Sequence, residues 1–319
     1  MFHLGFLIVL LAGALGSAHL QRVRMTAMVG VPEMQAVDGQ NAVVILPFTI
    51  ELRQFSVERY ADGSPKRFAS ELQILTRQGE SLQTTVEVNK PATADGWKIY
   101  QYGYDATQET TARMTILELV RDPWQPAVYF GVYLLLAGAL ILLLRGVWGR
   151  NARWMLPLLG VLVVAYVCVF KLAIEKDTLV PALQSPWFGP HFVVYMLANT
   201  MLGLATVMAL VMLLRKKEPV FSVLDAVVYV GLAFMTVGMI FGAFWAEEAW
   251  GHYWTWDPKE TWAAVTWLGY LTYVHYRKFP RQRPRVALWL LIFAFVLLLV
   301  CWWGVKYLPS AQGSMHVYN

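Results

Sequence analysis

One short stretch of the chain holds an unusual density of flat aromatic side chains. Six of the 14 tryptophans lie between Trp245 and Trp267. Indole rings suit a large planar ligand, because stacking and apolar burial both increase with ring area. Tryptophan and tyrosine also gather at membrane interfaces, so membrane anchoring is the alternative role for these rings.

Part of the same stretch has the pattern of a helix start. Asp257 suits the N-cap position, Pro258 the first helical position, and Glu260 the capping-box partner that bonds back to the N-cap. We therefore predict a structural capping role for Asp257 and Glu260. Capping does not account for the number of indoles beside them.

Histidines are the other side chains with potential chemistry. A lone histidine is more often a hydrogen-bonding residue than a ligand, but ionisable groups inside a membrane are costly and usually functional. Imidazole is also the commonest metal ligand among side chains. The chain has six histidines: His3, His19, His191, His252, His275 and His316.

The composition places these residues in a membrane protein. Hydrophobic residues make up 57% of the 319 residues and charged residues only 15%, against about 25% charged in soluble domains. The mean hydropathy is +0.46. The net charge of +5 does not indicate nucleic-acid binding, because the basic residues lie in short segments between apolar runs. Cys168 and Cys301 lie inside such runs without a C-x-x-C motif, so the sequence predicts no dithiol, zinc or covalent haem site.

Seven apolar runs approach the length of about 20 residues that a spanning helix needs. They are 2–18, 127–144, 154–170, 192–214, 226–244, 262–276 and 286–305. One group of connecting segments is basic, with Arg145, Arg150, Arg153, Arg215, Lys216, Lys217, Arg277, Lys278, Arg281, Arg283 and Arg285. The other group, 171–190, 245–261 and 306–319, is mixed or acidic. By the positive-inside rule, the first group is cytoplasmic and the second is outside.

The residues between the first two runs predict a β domain. The segment 19–125 contains alternating runs at 43–53, 71–75 and 84–88, separated by turn signals at 62–65, 78–79 and 95–96. The first run ends in Gly16-Ser17-Ala18, which would suit signal-peptide cleavage, but no basic residue precedes it. We expect a retained helix, with a removed signal as the alternative. The predicted fold is a polytopic α-helical membrane protein of about seven spans with an extracytoplasmic antiparallel β domain.

This topology sorts the histidines into two pairs. His191 and His316 lie on the outer side with the Trp-rich stretch, whereas His3 and His275 lie near the cytoplasmic ends of their spans. Each face of the membrane therefore has a pair of histidines. For His252, inside the Trp-rich stretch, we favour a surface or interface role.

At residues 250–262 the sequence resembles a known family. The string Trp-Gly-x-Tyr-Trp-x-Trp-Asp-Pro-Lys-Glu-Thr-Trp is similar to the WWD signature of haem-handling membrane proteins of cytochrome c biogenesis. Within that group it resembles the CcsA (ResC) family of system II. The segment 183–187, running into His191, resembles the first outer histidine region of that family, and 310–316 resembles the second. The resemblance covers roughly residues 154–319.

The front part resembles the partner family, ResB (CcsB). The matching features are Asn89-Lys90-Pro91, the segment 96–101, and Arg121-Asp122-Pro123 just before a helix. The resemblance implies a ResB-like part at 1–150, with a β domain at about 19–125, and a CcsA-like part at 151–319 with its WWD loop at 245–262.

The resemblance also implies the roles of single residues. His191 and His316 would be axial haem ligands at the outer face, and His275 and His3 axial ligands within the membrane. For His3 the alternative is an incidental terminal residue. The residues expected to contact haem in the WWD loop are Trp245, Trp250, Gly251, Tyr253, Trp254, Trp256, Asp257 and Pro258.

The implied function is cytochrome c biogenesis in the cytoplasmic membrane. Haem b would cross the membrane, be presented at the outer face, and be joined by thioether bonds to the C-x-x-C-H motif of an apocytochrome c. The implied activity is a cytochrome c synthase of the haem lyase type, or its core subunit. Implied partners are apocytochrome c, a further ResB/CcsB-like membrane subunit and a thiol-reducing protein, without nucleic acid. Two alternatives are a haem exporter or chaperone without synthase activity, and a structural membrane subunit that the Trp belt only anchors.

Overall fold

The structure is a computed structural model that describes residues 1–105, 113–148, 154–176, 179–215 and 221–309. Several residues used in the sequence predictions lie outside these ranges. They are Arg150, Arg153, Lys216, Lys217, and the segment 310–319 with His316.

Within the described residues the chain forms seven α-helices. They are α1 (Phe2–Gly16), α2 (Gln125–Val147), α3 (Met155–Lys176), α4 (Phe188–Leu214), α5 (Phe221–Trp250), α6 (Pro258–Tyr276) and α7 (Pro284–Leu299). A π-helical turn (Val300–Gly304) and a 3₁₀ turn (Val305–Tyr307) extend α7, and a 3₁₀ helix (Pro181–Gln184) precedes α4.

Five helical segments among the described residues are long and apolar enough to cross a membrane. They are Gln125–Val147, Met155–Leu172, Phe188–Leu214, Phe221–Trp250 and Pro284–Tyr307. The predicted count of about seven is therefore not confirmed. Helix α1 has only 15 residues, about 22 Å at the usual rise per residue. Helix α6 begins with the charged residues Lys259 and Glu260, which lower its hydropathy.

The predicted antiparallel β domain is confirmed. Its strands are β1 (Gln21–Met28), β2 (Pro32–Asp38), β3 (Val43–Arg59), β4 (Pro65–Leu75), β5 (Ser81–Glu87), β6 (Ala92–Ala94), β7 (Trp97–Tyr104) and β8 (Met114–Arg121). They form one sheet in the order β5-β4-β3-β2-β1-β8-β7-β6. All neighbours in this sheet pair antiparallel.

Alternation of buried and exposed side chains gives the β domain its own core. Phe48, Ile50 and Leu52 on β3 are almost completely buried, as are Ile99 on β7 and Leu117 on β8. Such period-two burial is the pattern of a strand with one face on a core. Strand β1 pairs with β8 from Gln21↔Arg121 onward, so the sheet begins where α1 ends and α2 starts.

Helix α5 is the centre of the bundle and packs against α2, α4 and α6. Glycines allow these helices to approach each other closely. A Cβ at Gly146 of α2 would lie 2.8 Å from the carbonyl oxygen of Ala226 on α5. A Cβ at Gly231 of α5 would lie 2.7 Å from the side chain of Leu202 on α4. The β domain lies at the end of the bundle where α1 ends and α2 begins. We call this the β-domain end and the other the opposite end.

Candidate functional site

His3 and His275 lie against each other at the opposite end of the bundle. Their Nε2 atoms are 3.3 Å apart, and the rings meet edge to face with centroids 5.6 Å apart. His3 belongs to the first turn of α1 and His275 to the last turn of α6. The fold thus joins two histidines that are 272 positions apart in the sequence.

A backbone carbonyl fixes the tautomer of His275. Its Nδ1 lies 2.7 Å from the carbonyl oxygen of Leu271. A carbonyl can only accept, so Nδ1 carries the ring proton and Nε2 keeps its lone pair. This lone pair faces His3 Nε2, which is close enough to donate a hydrogen bond to it. A ring held by a carbonyl at its other nitrogen is also the usual setting of a metal-binding histidine.

Aromatic packing holds α1 beside α6. Phe2 stacks on Trp267 with centroids 5.9 Å apart, and Phe6 approaches the same indole at 5.4 Å. A Cβ at Gly138 of α2 would lie 2.6 Å from the Phe2 ring. Only glycine at this position leaves room for that ring. Trp267 donates to Thr236 Oγ1 at 3.0 Å. This indole therefore ties the start of α1 to both α6 and α5.

The Trp-rich segment, residues 245–262, leads from α5 into α6 at the β-domain end. Gly251 follows the last residue of α5 and has a φ of +74°. Its N–H donates to the Glu247 carbonyl at 2.8 Å. A Cβ at Gly251 would lie 3.0 Å from the Tyr100 ring. Both the backbone angle and the space therefore favour glycine at this position.

Asp257 caps α6 as the sequence predicts. Its side chain accepts the Lys259 N–H at 3.0 Å, while Glu260 accepts the N–H of Asp257 at 3.3 Å and that of Thr255 at 2.8 Å. Pro258 is the first residue of α6. This reciprocal capping box fixes the end of the Trp-rich segment.

Trp256 is both exposed and strained. It is 70% exposed and has a φ of +60°, a left-handed conformation that costs a residue with a Cβ about 1–2 kcal/mol. Thr261 Oγ1 supports this conformation by donating to the Trp256 carbonyl at 3.0 Å. The ring meets Trp254 edge-on at 5.9 Å. Backbone strain of this kind concentrates at functional sites.

The first two tryptophans of the segment are less exposed than Trp256, with Trp245 buried and Trp250 half-buried. Trp245 is 4% exposed and donates its Nε1–H to the Ala182 carbonyl at 2.7 Å. Its ring lies 5.7 Å from Trp250 and 5.1 Å from Phe188. The position of Trp245 links α5 to the segment that leads into α4.

His191 lies in the first turn of α4, beside the Trp-rich segment. Its ring centroid is 5.8 Å from that of Trp245. Nδ1 donates to the Gly238 carbonyl at 2.9 Å, so the lone pair of the neutral ring is on Nε2. A Cβ at Gly242 would lie 2.9 Å from the imidazole Cε1. The absence of a side chain at Gly242 therefore lets the His191 ring pack directly against α5. The predicted partner, His316, lies outside the described residues.

The β domain contacts the Trp-rich segment through three polar side chains. Lys98 Nζ and Tyr100 OH lie 2.6 Å and 2.7 Å from Glu247 Oε1, and Arg22 donates to the Gly251 carbonyl at 2.8 Å. Burial, with the charge of Glu247, raises the pKa of Tyr100, so its hydroxyl stays protonated and acts as the donor.

A second contact joins the β domain to the segment before α4. Asn89 Nδ2 donates to the Pro181 carbonyl at 2.7 Å, and Tyr60 OH donates to the Leu179 carbonyl at 3.1 Å. Asn89 has a φ of +65°. Two of the segments that carry the ResB resemblance, 89–91 and 96–101, therefore contribute contacts to the helical part.

His252 and Tyr253 lie at the same junction. Burial, and to a smaller extent the charge of Arg22, lowers the pKa of His252 to about 4, so the ring is neutral near pH 7. Gln125 at the start of α2 donates to Tyr253 OH at 2.8 Å. His252 is thus partly buried at this junction, and its interface role stays a prediction.

Sequence reasoning missed Glu247 and Glu248, the two carboxylates that follow Trp245. Glu247 is 7% exposed, and Glu248 accepts the Trp187 Nε1–H at 2.9 Å. The sequence feature that could have drawn attention to them is their position near the C-terminal end of a predicted helix, where the helix macrodipole disfavours negative charge. Their partners are distant in sequence, so only the fold shows them.

Comparisons with known proteins match both parts of the chain. The cytochrome C assembly protein family matches residues 126–311, more than half of the chain, and the ResB-like family matches residues 1–118. The expected boundary at residue 150 stays a prediction.

Relatives named "Cytochrome c biogenesis protein CcsA" match parts of the chain. The one from Chlamydomonas reinhardtii is 32% identical over 161 residues, 46% of this chain and 45% of its own length. The one from Prochlorococcus marinus (strain AS9601) is 33% identical over 197 residues, 50% of this chain and 62% of its own length. A relative from Heterosigma akashiwo is 46% identical over 90 residues, 28% of each chain. The chain thus spans less than two thirds of the length of these relatives.

The fold and the site define a multi-pass α-helical membrane protein with an antiparallel β domain packed on one end of its bundle. The chain belongs to the cytochrome c assembly protein family and carries a ResB-like domain in front. This membership supports a role in cytochrome c biogenesis.

Proposed function

We propose that the chain carries haem across the cytoplasmic membrane and presents it at the outer face for attachment to apocytochrome c. The observation that carries the proposal is the contact of His3 and His275, whose Nε2 atoms lie 3.3 Å apart. Two imidazoles from separate helices are the ligand set that haem iron takes on its two axial sides. In this proposal the opposite end is the inner, cytoplasmic end, and the β-domain end is the outer end.

The inner pair receives haem and the outer site presents it. At the inner site, iron needs the lone pairs of both Nε2 atoms, so His3 must carry its proton on Nδ1, as His275 does. At the outer site His191 is one ligand and His316 the other. The Trp-rich segment provides the apolar surface there, with the exposed Trp256 and the half-buried Trp254 as the rings that contact haem.

The attachment step needs no leaving group and no oxidant. A cysteine thiol of the client adds across a haem vinyl group: the sulfur bonds to one vinyl carbon and the proton goes to the other. Cys168 and Cys301 lie in membrane-spanning segments, so the reacting thiols are those of the client. The contribution of the chain is positioning, which alone can lower a barrier by several kcal/mol.

Co-expression with an apocytochrome c in cells that lack other maturation factors tests the proposal. We expect haem that stays on the client in denaturing gels, as thioether bonds require. Haem that reaches the outer face without covalent product would favour the exporter or chaperone function. A purified protein without any haem absorption band would support only a structural subunit.

A further inference from the structure

Two adjacent carboxylates lie at a costly place in the bundle. Glu247 and Glu248 lie in the last turn of α5, which contains no basic residue. The C-terminal end of a helix carries partial negative charge, so two carboxylates there are unfavourable unless other groups compensate them. Each has compensating donors, and the two sets of donors come from different parts of the chain.

Glu247 receives its donors from the β domain. Lys98 forms an ion pair with it at 2.6 Å, and the Tyr100 hydroxyl donates to the same oxygen at 2.7 Å. The Glu247 side chain is 9% exposed and that of Lys98 28% exposed, so water screens the pair little. The Glu247 backbone carbonyl also accepts the N–H of Gly251, where the Trp-rich segment leaves α5.

Glu248 receives its donors from the segment that carries His191. The Trp187 Nε1–H lies 2.9 Å from Glu248 Oε1, and Ser185 Oγ lies 3.2 Å from Oε2. The Ser185 hydroxyl also accepts the Trp187 N–H at 3.2 Å. His191 follows one helical turn later, and its N–H donates to the Trp187 carbonyl at 2.9 Å.

We propose that Glu247 and Glu248 are positioning residues that couple the β domain to the outer haem site. Glu247 sets the Trp-rich segment against the β domain, and Glu248 sets the start of α4, and thereby the His191 imidazole, against the same helix end. The inference rests on the proposed function, because it assigns the ResB-like β domain a role in holding the haem ligand geometry. Neither carboxylate is a haem ligand or a proton donor in this role.

Substitutions on the β-domain side test the coupling without touching the haem site. In the full-length protein we would compare Lys98→Met with Lys98→Arg, which keeps the charge and a donor. The matched control is Lys90→Met, because Lys90 is an exposed lysine of the same domain that pairs with Glu87 on the surface. Tyr100→Phe removes one hydrogen-bond donor to Glu247. Glu248→Gln removes the negative charge that Trp187 and Ser185 contact.

The measurements concern the outer haem, which is identified as the haem that His191→Gly loses. They are its midpoint potential, its absorption spectrum, and the rate at which it transfers to apomyoglobin. We expect Lys98→Met and Glu248→Gln to shift the potential and release haem about 10-fold faster, the scale of changes around metal ligands. Lys98→Arg and Lys90→Met should match the wild-type protein. Imidazole should not correct Lys98→Met, because the His191 ligand is still present.

Each outcome has one meaning. If Lys98→Met and Glu248→Gln behave as Lys90→Met does while His191→Gly loses haem, the coupling is wrong and the proposed function stands. If His191→Gly itself changes no haem signal, the proposed outer site is wrong. If Glu248→Gln does not accumulate in membranes, Lys98→Met and Tyr100→Phe decide, because they alter only the β-domain side.

Discussion

Arg277 pairs with Asp225 where α6 ends and α5 begins, with Nη2 of the guanidinium 2.9 Å from Oδ2 of the carboxylate. Tyr273 OH donates to the other carboxylate oxygen at 2.7 Å. Tyr273 and Arg277 are four positions apart, so they share one face of α6. His275 lies between them in the sequence and therefore points to another face, toward α1.

Asp225→Asn should lower the stability of the protein and weaken haem binding by the inner histidine pair. The change leaves Arg277 without its counter-charge in a partly buried place, at a cost of about 2–3 kcal/mol. Thermal unfolding in detergent and the Soret absorbance measure the two effects. Glu58→Gln is the control, because it removes a carboxylate from an exposed ion pair worth less than about 1 kcal/mol. Equal effects of both changes on the Soret absorbance would show that Asp225 does not help to hold the histidine pair.

Trp256→Gly should separate stability from function. Glycine adopts a φ of +60° without the strain of a Cβ, so unfolding should occur at an unchanged or higher temperature. The lost indole should nevertheless reduce haem retention and the yield of mature cytochrome c. A variant that is as active as the wild-type protein would show that Trp256 is only an interfacial anchor.

Trp254→Ala should weaken haem binding by about 1–3 kcal/mol, by analogy with aromatic stacking on nucleic-acid bases. Trp148→Ala provides the matched control, because Trp148 is 75% exposed and follows α2 at the opposite end of the bundle. Pro258→Ala should have the smaller effect of a changed helix start. Haem titrations of the purified variants compare the three. Similar losses in Trp148→Ala would count against a specific haem contact of Trp254.

Acidification should weaken the junction between the β domain and the Trp-rich segment. The pKa of His252 is lowered to about 4 by burial, whereas the unfolded residue titrates near its ordinary value of about 6.5. The unfolded state therefore binds more protons between these values, and stability falls as the pH drops from 7 toward 4. His252→Asn should reduce this slope in melting temperatures measured from pH 7 to pH 5. An unchanged slope would show that other groups cause the acid sensitivity.

His191→Gly should change the outer haem spectrum and abolish cytochrome c maturation, and added imidazole should partly restore both. A free ligand can fill a vacant axial position, but it cannot replace a histidine whose role is packing. His252→Gly is the control within the Trp-rich segment and should be mild. Loss of haem in His252→Gly, with haem retained in His191→Gly, would reverse the ligand assignment.

The sequence predicts those parts of the structure that depend on local patterns. The lengths of the apolar runs predict the helices, and the alternation of polar and apolar residues predicts strands β3 to β5. The spacing of Asp257 and Glu260 predicts where α6 begins. The number of spans was less predictable. Helices α1 and α6 are short or start with charged residues, so length and composition alone do not decide whether they cross a membrane.

The contacts between distant segments could not be predicted from local patterns. Charge bias placed His3 and His275 at one face, but only the packing of Phe2 and Phe6 on Trp267 brings their rings together. The pairing of Lys98 with Glu247 spans 149 positions and joins two domains. A periodicity of a few residues contains no information about such pairs.

The absorption spectrum of the purified protein tests the central claim most directly, with His3→Gly, His275→Gly and the control His19→Gly compared side by side. His19 is a histidine at the other end of α1 that bonds to the Leu15 carbonyl, so it controls for the loss of an imidazole. The proposed function predicts a haem band that either inner substitution reduces, that added imidazole restores, and that His19→Gly leaves unchanged. An identical haem band in all four proteins would contradict haem binding by His3 and His275.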